Sequence, residues 1–547
     1  MFDALFTTTT EYKKLSHALS GKGACALFGL PASGRAQVYA ALCRQLDKPL
    51  CIVTPGEAEA TRFAADLNTL GIPAAVFPAR DYVLRPIEGT AREYEYRRLA
   101  VLGELVGGRL RAVAVPAEAL TQFTTPKEDF CANTRTLHAG DTLLRDDLLA
   151  ALFGAGYTRR AQVDGPGQFS VRGDIVDIFA PDQKMPVRME FWGDEIDTLH
   201  TFDLTTQRRE DAIDKFYLSP AREVLFGKPA DAAEQLRAFL AKQRGKKKTA
   251  MADCMAADLD LLDGGAVPVN MDKYLAVRYP HPATVLDYFD DPILVAEEPA
   301  SIREADRATA YRRGEELKSL ILDGVLCAGL DNLYADPSYL WSKTGHYRTI
   351  CAENFARSMP DQPLKDIINA PAHTLPAWNG EVAGLLEDLK PLCDAGYTVT
   401  LLAGTDRAAA GLARDLRDKG ILVTTDAAAA PAAGLVQVLA GHLSAGCEFP
   451  FAKYALLTGR AFGETSSQKK KRKKAKDALN SLTEITPGDL VVHQNHGIGR
   501  YAGIQRMAVQ GVTKDYLRIE YDKKDVLYVP VTQLDLLSRY TAPGDEE

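Results

Sequence analysis

The chain has 547 residues, with 65 Lys and Arg against 73 Asp and Glu, a formal net charge of −8, 46% apolar and 25% charged residues. That length is too great for a single hydrophobic core, so several domains are expected, and the net charge leaves any nucleic-acid contact to local patches. The opening MFDALFTTTTEYKKL lacks a basic segment followed by an apolar run, and no apolar stretch approaches the ~20 residues of a spanning helix, which argues against a signal peptide and a membrane span.

Cysteines stand at 25, 43, 51, 131, 254, 327, 351, 393 and 447, an odd count with no Cys-x-x-Cys pair. This argues against a zinc ribbon or a disulfide framework and fits a reducing cytoplasm, the expected location.

Residues 24–120 alternate strands and helices. ACALFGL (24–30), LCIVTP (50–55), AAVFP (74–78) and RAVAVP (111–116) read as strands, RAQVYAALCRQL (35–46) and TRFAADLNTL (61–70) as helices. A third helix is expected to start at a capping box of Thr90 and Glu93, to bury Leu99, Leu102 and Leu105 on one face, and to stop at Gly107-Gly108. This alternation predicts a parallel, doubly wound sheet. FSVRGDIVDIFAP (169–181) and PVRMEFWGDEIDTLHTFD (186–203) then alternate apolar and polar residues around turns, predicting an antiparallel insert over 134–222 within a domain of 1–133 and 223–345. In its second part the buried strand PILVAEEP (292–299) precedes the amphipathic helix 301–322.

A further α/β unit is expected over 346–464, with a helix at 380–396, the strand YTVTLLAG (397–404) and a capped helix at 405–420. Residues 465–485 form a linker containing KKKRKKAK (469–476). Such a run is ordinarily a solvated, self-repelling spacer, with incidental contact to duplex DNA as its other use. Over 486–547 the short strands DLVVH, IGRYAGI, DYLRIEY and VLYVPV predict a small barrel.

Gly29-Leu-Pro-Ala-Ser-Gly34-Arg35-Ala36 occupies the strand-to-helix turn where a phosphate-binding loop would lie. The working motif, G-x-x-x-x-G-K-[ST], uses its Lys on the β/γ-phosphates and its hydroxyl on Mg²⁺. Here Arg35 and Ala36 replace both groups, and alanine cannot ligate magnesium, so this domain is not expected to hydrolyse ATP. Position and spacing fit a degenerate loop; the alternative is an ordinary glycine-rich turn. Glu297-Glu298 stands where a magnesium-holding carboxylate would end its strand, but with no loop lysine it reads as a helix-start charge or a solvated turn. His493 and His496 have chelating spacing but no third ligand nearby, so a turn is expected and no metal. In DYLRIEY, Leu517, Ile519 and Tyr521 face one side, and Tyr516, Arg518 and Glu520 the other.

Three stretches carry a resemblance: FPARDYVLRPIEGTAREYEYRRLAVLGEL (77–105), GYTRRAQVDGPGQFSVRGDIVDIFAP (156–181) running on through 186–208, and PGDLVVHQNHGIGRYAGIQRMAVQGVTKDYLRIEYDKKDVLYVPVTQLDLLSRY (487–540). Together they resemble the bacterial transcription-repair coupling factors, the Mfd family. The resemblance covers nearly the whole chain and is weakest in 223–460. It implies an α/β multidomain fold: a UvrB-like degenerate P-loop α/β domain, an inserted α+β domain that binds UvrA, a further α/β domain, and a CarD-like, SH3/Tudor-like barrel that binds the β subunit of RNA polymerase.

By position, the UvrA-contacting arginines and aromatic of the family fall on Arg172, Arg188 and Trp192, with Trp where the family usually has Phe. These side chains are expected to be exposed. The alternative for Arg172 is an internal pair with Asp174 or Asp177. Seven basic and nine acidic residues over 157–209, and seven against six over 486–541, suit protein partners better than a phosphate backbone. Tyr516 and Arg518 are the candidates for the polymerase contact, on an exposed strand edge and its outward row.

In the family a two-lobed translocase follows the barrel and carries the ATP and Mg²⁺ chemistry. Here the chain stops at GDEE and holds no intact phosphate loop, so the expectation is a motorless, monomeric scaffold without a cofactor, whose UvrA surface is permanently open. The rival readings are a UvrB-type DNA-loading subunit and a stand-alone CarD-type regulator.

Overall fold

The computed structural model describes residues 7–87, 92–355, 362–378, 382–459, 486–493, 497–509, 512–521, 526–530 and 537–539. The first domain is built on a seven-stranded sheet in the order Leu364–Asn369, Gly23–Phe28, Arg348–Glu353, Ile293–Glu297, Leu50–Thr54, Ala112–Pro116, Ala74–Val76, parallel at every pairing. Both faces are covered, which is why its strands read as unbroken apolar runs. Along Gly23–Phe28 the side chains divide by parity. Cys25 and Leu27 pack with Tyr39, Leu42 and Phe63; Ala24, Ala26 and Phe28 pack with Leu99, Leu102 and Tyr288 on the other face.

The boundary expected at 346 is corrected by this sheet. Arg348–Glu353 and Leu364–Asn369 flank Gly23–Phe28 on either side, so the first domain runs to residue 369. A strand buried at both edges needs two ladders for its N–H and C=O groups, and these segments supply them. The expected capping box rests on a residue outside the described ones. Thr90 is that residue, and the described helix Glu93–Val106 follows Arg92, whose own side chain makes no cap. It does end at Gly107, followed by Gly108 at φ +65.

The insert has a six-stranded sheet in the order Arg209–Ala212, Glu195–Phe202, Val187–Trp192, Ile175–Phe179, Gln168–Arg172, Thr158–Arg159, antiparallel except for the last pair. Helix Arg145–Gly154 covers its apolar face through Leu148 and Leu152. A helical layer of Pro229–Ala241, Gly245–Asp263 and Pro299–Leu322 buries Leu236, Met251, Met255 and Leu320. The third unit is a mixed six-stranded sheet centred on Tyr454–Thr458 and Thr398–Leu402. Its helix Asp406–Asp418 is capped as expected, Thr405 Oγ1 accepting from the Ala408 N–H at 3.2 Å.

The C-terminal module is an antiparallel five-stranded sheet in the order Val526–Pro530, Val512–Glu520, Gly497–Val509, Leu490–His493, Leu537–Arg539. Among the described residues no helix is long and apolar enough to cross a membrane.

Candidate functional sites

Gly29, at φ +90, turns the chain out of strand Gly23–Phe28; Pro31 is extended, and the helix Ala32–Leu46 follows at once. Ser33 and Gly34 therefore already belong to the first helical turn and do not spread into an open loop. Arg35 folds back over that turn and is 4% exposed. Its Nη2 lies 2.9 Å from both Glu297 Oε2 and Glu298 Oε1, and its Nη1 donates to Leu30 O at 3.2 Å. Tyr39 Oη donates to Glu297 Oε1 at 2.5 Å. A Cβ on Gly34 would come within 2.9 Å of Cys447 Sγ, from the third unit, so this turn is packed against a neighbouring sheet.

The cation at the phosphate-lysine position is thus neutralised by the protein's own carboxylates. Burial pushes the Glu297 carboxyl up from its ordinary range, opposed by Arg35. Burial works against the Arg35 charge too, yet the fields of Glu297, Tyr39 and Glu298 hold its guanidinium above its ordinary value. Of the two readings of Glu297-Glu298, the helix-start charge holds for Glu298, whereas the solvated turn is corrected for Glu297, which is 1% exposed and paired with Arg35 and Tyr39. Glu298 sits at φ 52, at the start of helix Pro299–Leu322. The expectation of a solvated turn looks only for a lysine opposite the carboxylates, whereas Arg35 reaches them from the same position.

In the insert, strand alternation puts Val171, Val176, Met189 and Phe191 toward the core, and Arg172, Asp177, Arg188, Glu190 and Trp192 on the other face. The structure brings the two arginines together on one carboxylate. Asp177, fully buried, accepts from Arg172 Nη2 at 2.6 Å and from Arg188 Nε and Nη2 at 2.7 and 3.0 Å. Arg188 also stacks over Phe202, 4.7 Å from its centroid, and donates to Gln207 O at 3.1 Å. Its expected exposure is therefore corrected: Arg188 is 9% exposed, because Phe202 and the Gln207 loop cover that part of the sheet.

Arg172 remains half-exposed while paired with Asp177, the internal partner that alternation allowed. Trp192 is 82% exposed. It ends its strand beside a two-residue turn in which Gly193 takes φ 64, the conformation a tight hairpin requires. The hairpin turn at Gly173 and Asp174 lies at the same end of the sheet, Phe191 N–H donating to Asp174 O at 2.8 Å. That end therefore presents Trp192 near Arg172.

In the C-terminal module the expected register holds. Leu517 and Ile519 are fully buried with Val491, Tyr501, Leu527 and Val529, and Tyr521 packs against them. Arg518 is partly exposed and pairs with Glu520 at 2.7 Å. The Tyr516 side chain lies outside the described residues. The expected strand edge is corrected: Val512–Glu520 has a neighbour on each side, and among the described residues the sheet's edges are Val526–Pro530 and Leu537–Arg539. Arg518 instead lines a surface concavity of about 720 Å³ with Leu490, Ile498, Arg500, Glu520 and Val526. His493 is buried, its Nε2 3.6 Å from Glu93 Oε1 of the first domain, while His496 lies outside the described residues. Three partners escaped sequence reading: Tyr39 on Glu297 and Glu93 beside His493, because each pair is distant in sequence, and Phe202 under Arg188, because it reaches over from the adjoining strand.

Comparison with known proteins places these features. Residues 136–224 match the UvrB interaction domain, and residues 485–541 match the CarD-like/TRCF RID domain. The chain is 28% identical over 536 residues to the transcription-repair-coupling factor of Bacillus subtilis (strain 168). It is 27% identical over 536 residues to that of Staphylococcus haemolyticus (strain JCSC1435), and 25% over 532 residues to that of Staphylococcus aureus (strain MRSA252). Each match covers 95% of this chain and 45% of the relative, so the chain spans about half the length of these proteins.

Proposed function

We propose that this chain, as a relative of the transcription-repair-coupling factors, is the scaffold part of such a factor: it holds RNA polymerase through its C-terminal module and recruits UvrA through its insert. The observation that carries this reading is the presence of both a UvrB interaction domain match and a CarD-like/TRCF RID domain match in one polypeptide that aligns over 95% of its length with those factors. The insert offers UvrA the exposed indole of Trp192 with Arg172 near it, an aromatic and arginine pairing enriched among interface hot spots. Arg188 acts from beneath, orienting Asp177 and hence Arg172, and does not contact the partner itself.

The C-terminal module, closing in solution as an SH3/Tudor-like barrel, takes the polymerase β subunit with Arg518 and Tyr516 at the contact. The first domain binds no ATP or Mg²⁺, since its only cation at the loop is committed to Glu297 and Glu298 and its hydroxyl position is Ala36. The scaffold works as a monomer in the cytoplasm, and duplex DNA meets it weakly through the basic linker of 465–485.

The test is capture of purified UvrA and of RNA polymerase by the full chain. Retention of both, with UvrA lost on Trp192→Ala and polymerase lost on Arg518→Glu, supports the reading. Retention of neither by folded protein rejects it.

A further inference from the structure

Six basic residues and no acidic one stand between Glu234 and Asp253, in a chain whose net charge is −8. They gather at the tip of a helical hairpin. Helix Pro229–Ala241 ends, three residues follow, and Gly245, at φ +59, opens helix Gly245–Asp263. Behind the tip the two helices share a core through Leu236, Met251 and Met255. Ahead of that core, every position from Lys246 to Ala250 is exposed, so this turn of helix was not formed by burial of an apolar face.

Arg237 is held by Asp263 on the neighbouring helix. The other five, Lys242, Arg244, Lys246, Lys247 and Lys248, are exposed, and among the described residues none of them forms an ion pair. Three of them occupy a first helical turn that has no acidic residue, where the helix dipole disfavours positive charge. Arg244, the residue before that turn, makes no side-chain cap. These cations therefore weaken the helix that carries them, and a ligand of opposite charge accounts for the arrangement.

We propose that this tip, residues 242–248, is a binding site for duplex DNA, gripped through its phosphates without sequence preference. Duplex DNA carries one negative charge per ~1.7 Å of its axis, and cations that neutralise it release its counterions. Successive helical residues point about 100° apart, so Lys246, Lys247 and Lys248 form a fan, which Lys242 and Arg244 extend. Such a spread suits a repeating backbone charge better than one small anion. AKQRGKKKTA (241–250) has no aromatic residue on which an unpaired base could stack, which argues against single strands. It has no large apolar side chain either, to enter a lipid surface or to anchor in a protein pocket. Lysines, which supply four of the five charges, meet phosphates as mobile point charges and need no fixed fork geometry.

The experiment titrates a short fluorescent duplex with the full chain at several salt concentrations and follows anisotropy. Log affinity should fall linearly with log salt, by about 0.9 for each phosphate contact. In the Lys246→Gln, Lys247→Gln, Lys248→Gln variant, affinity at low salt should fall about tenfold or more, and the slope should become shallower by about 2.7. Its melting temperature should be unchanged or higher, because the charges removed oppose the helix dipole. Changing Lys469, Lys470 and Lys471 of the basic linker to Gln in the same way should have the smaller effect. If the hairpin variant fails to fold, acetylation of the wild-type chain decides: duplex DNA should protect Lys246, Lys247 and Lys248. A folded hairpin variant that binds as the wild type does overturns the proposal. So do tighter binding of a single strand, displacement by polyglutamate as effective as by unlabelled duplex, and lysines that the duplex leaves unprotected.

Discussion

The guanidinium of Arg35 rests 2.9 Å from the carboxylate of Glu297, and both groups are shut away from water. Arg35→Ala would leave that carboxylate buried without its main counter-charge, a defect that costs about 3–5 kcal/mol. Urea unfolding should show this loss. The double change with Glu297→Gln should recover part of it, since the uncompensated charge is then gone.

Restoring only the missing side chains should not create an ATPase. Arg35→Lys with Ala36→Thr still leaves a first helical turn at Ser33 and Gly34 packed on Cys447 and Phe449. A phosphate-release assay on this variant should match the no-protein control. The wild-type chain should match it as well, and turnover abolished by a change at Gly34 or Arg35 would refute the inactive loop.

At the insert, Trp192 and Arg188 should separate experimentally. Trp192→Ala should cost ~2 kcal/mol or more of UvrA affinity with an unchanged melting temperature, because the indole is 82% exposed. Arg188→Ala should lower the melting temperature, since Asp177 is fully buried and would lose two of its three charged hydrogen bonds. Calorimetric titration alongside thermal melts distinguishes the two, and unchanged UvrA binding in the Arg172→Ala, Trp192→Ala variant removes this face from the interface.

Acid should act through Glu95. Burial raises its carboxyl, but Arg92, Arg80, Arg222 and the Glu223 N–H together bring it down to about 2, from an ordinary 4.5. A lowered folded value contributes stability above the unfolded value that is lost as pH falls from about 4.5 toward about 2. Glu95→Gln should be less stable at neutral pH and show a shallower loss across that window, as measured by chemical denaturation at stepped pH.

In the C-terminal module, Leu517→Ala should unfold or strongly destabilise the sheet, at about 2–5 kcal/mol for a fully buried leucine. Arg518→Glu should leave the melting temperature nearly unchanged, because a half-exposed pair with Glu520 is worth about 0–1 kcal/mol. If polymerase binding rests on Arg518, that variant binds more weakly, and salt reduces wild-type affinity only mildly. A steep salt dependence would point to a phosphate backbone as the true partner.

Local periodicity carried much of the fold. The apolar runs at 24–30, 50–55 and 111–116 became central parallel strands, and alternation in DYLRIEY assigned Leu517 and Ile519 to the core. What alternation cannot contain is the identity of neighbours. Leu364–Asn369 carries Lys365 and Asp366, so nothing local marks it as the outer strand of the first sheet. Arg188 occupies a polar-face position and reads as surface, yet Phe202 from the adjoining strand covers it. The same limit explains the misplaced edge, since a strand's two flanks are set by partners far along the chain. For the phosphate loop, residue identity revealed the loss of the lysine and hydroxyl, whereas the replacement ion pair needed the third dimension.

The strand order of the first sheet also bears on synthesis. Gly23 pairs with Arg348, and Ala24 with Leu364, so the first strand made waits for partners several hundred residues downstream. At the ~5–20 residues per second of a ribosome, that is tens of seconds. All strands of the insert's sheet, by contrast, lie between Thr158 and Ala212 and can pair while the first sheet still lacks four of its six ladders. Nascent chains should therefore pass through a stage in which the insert is ordered and Gly23–Phe28 has both edges open, the stage most in need of a chaperone.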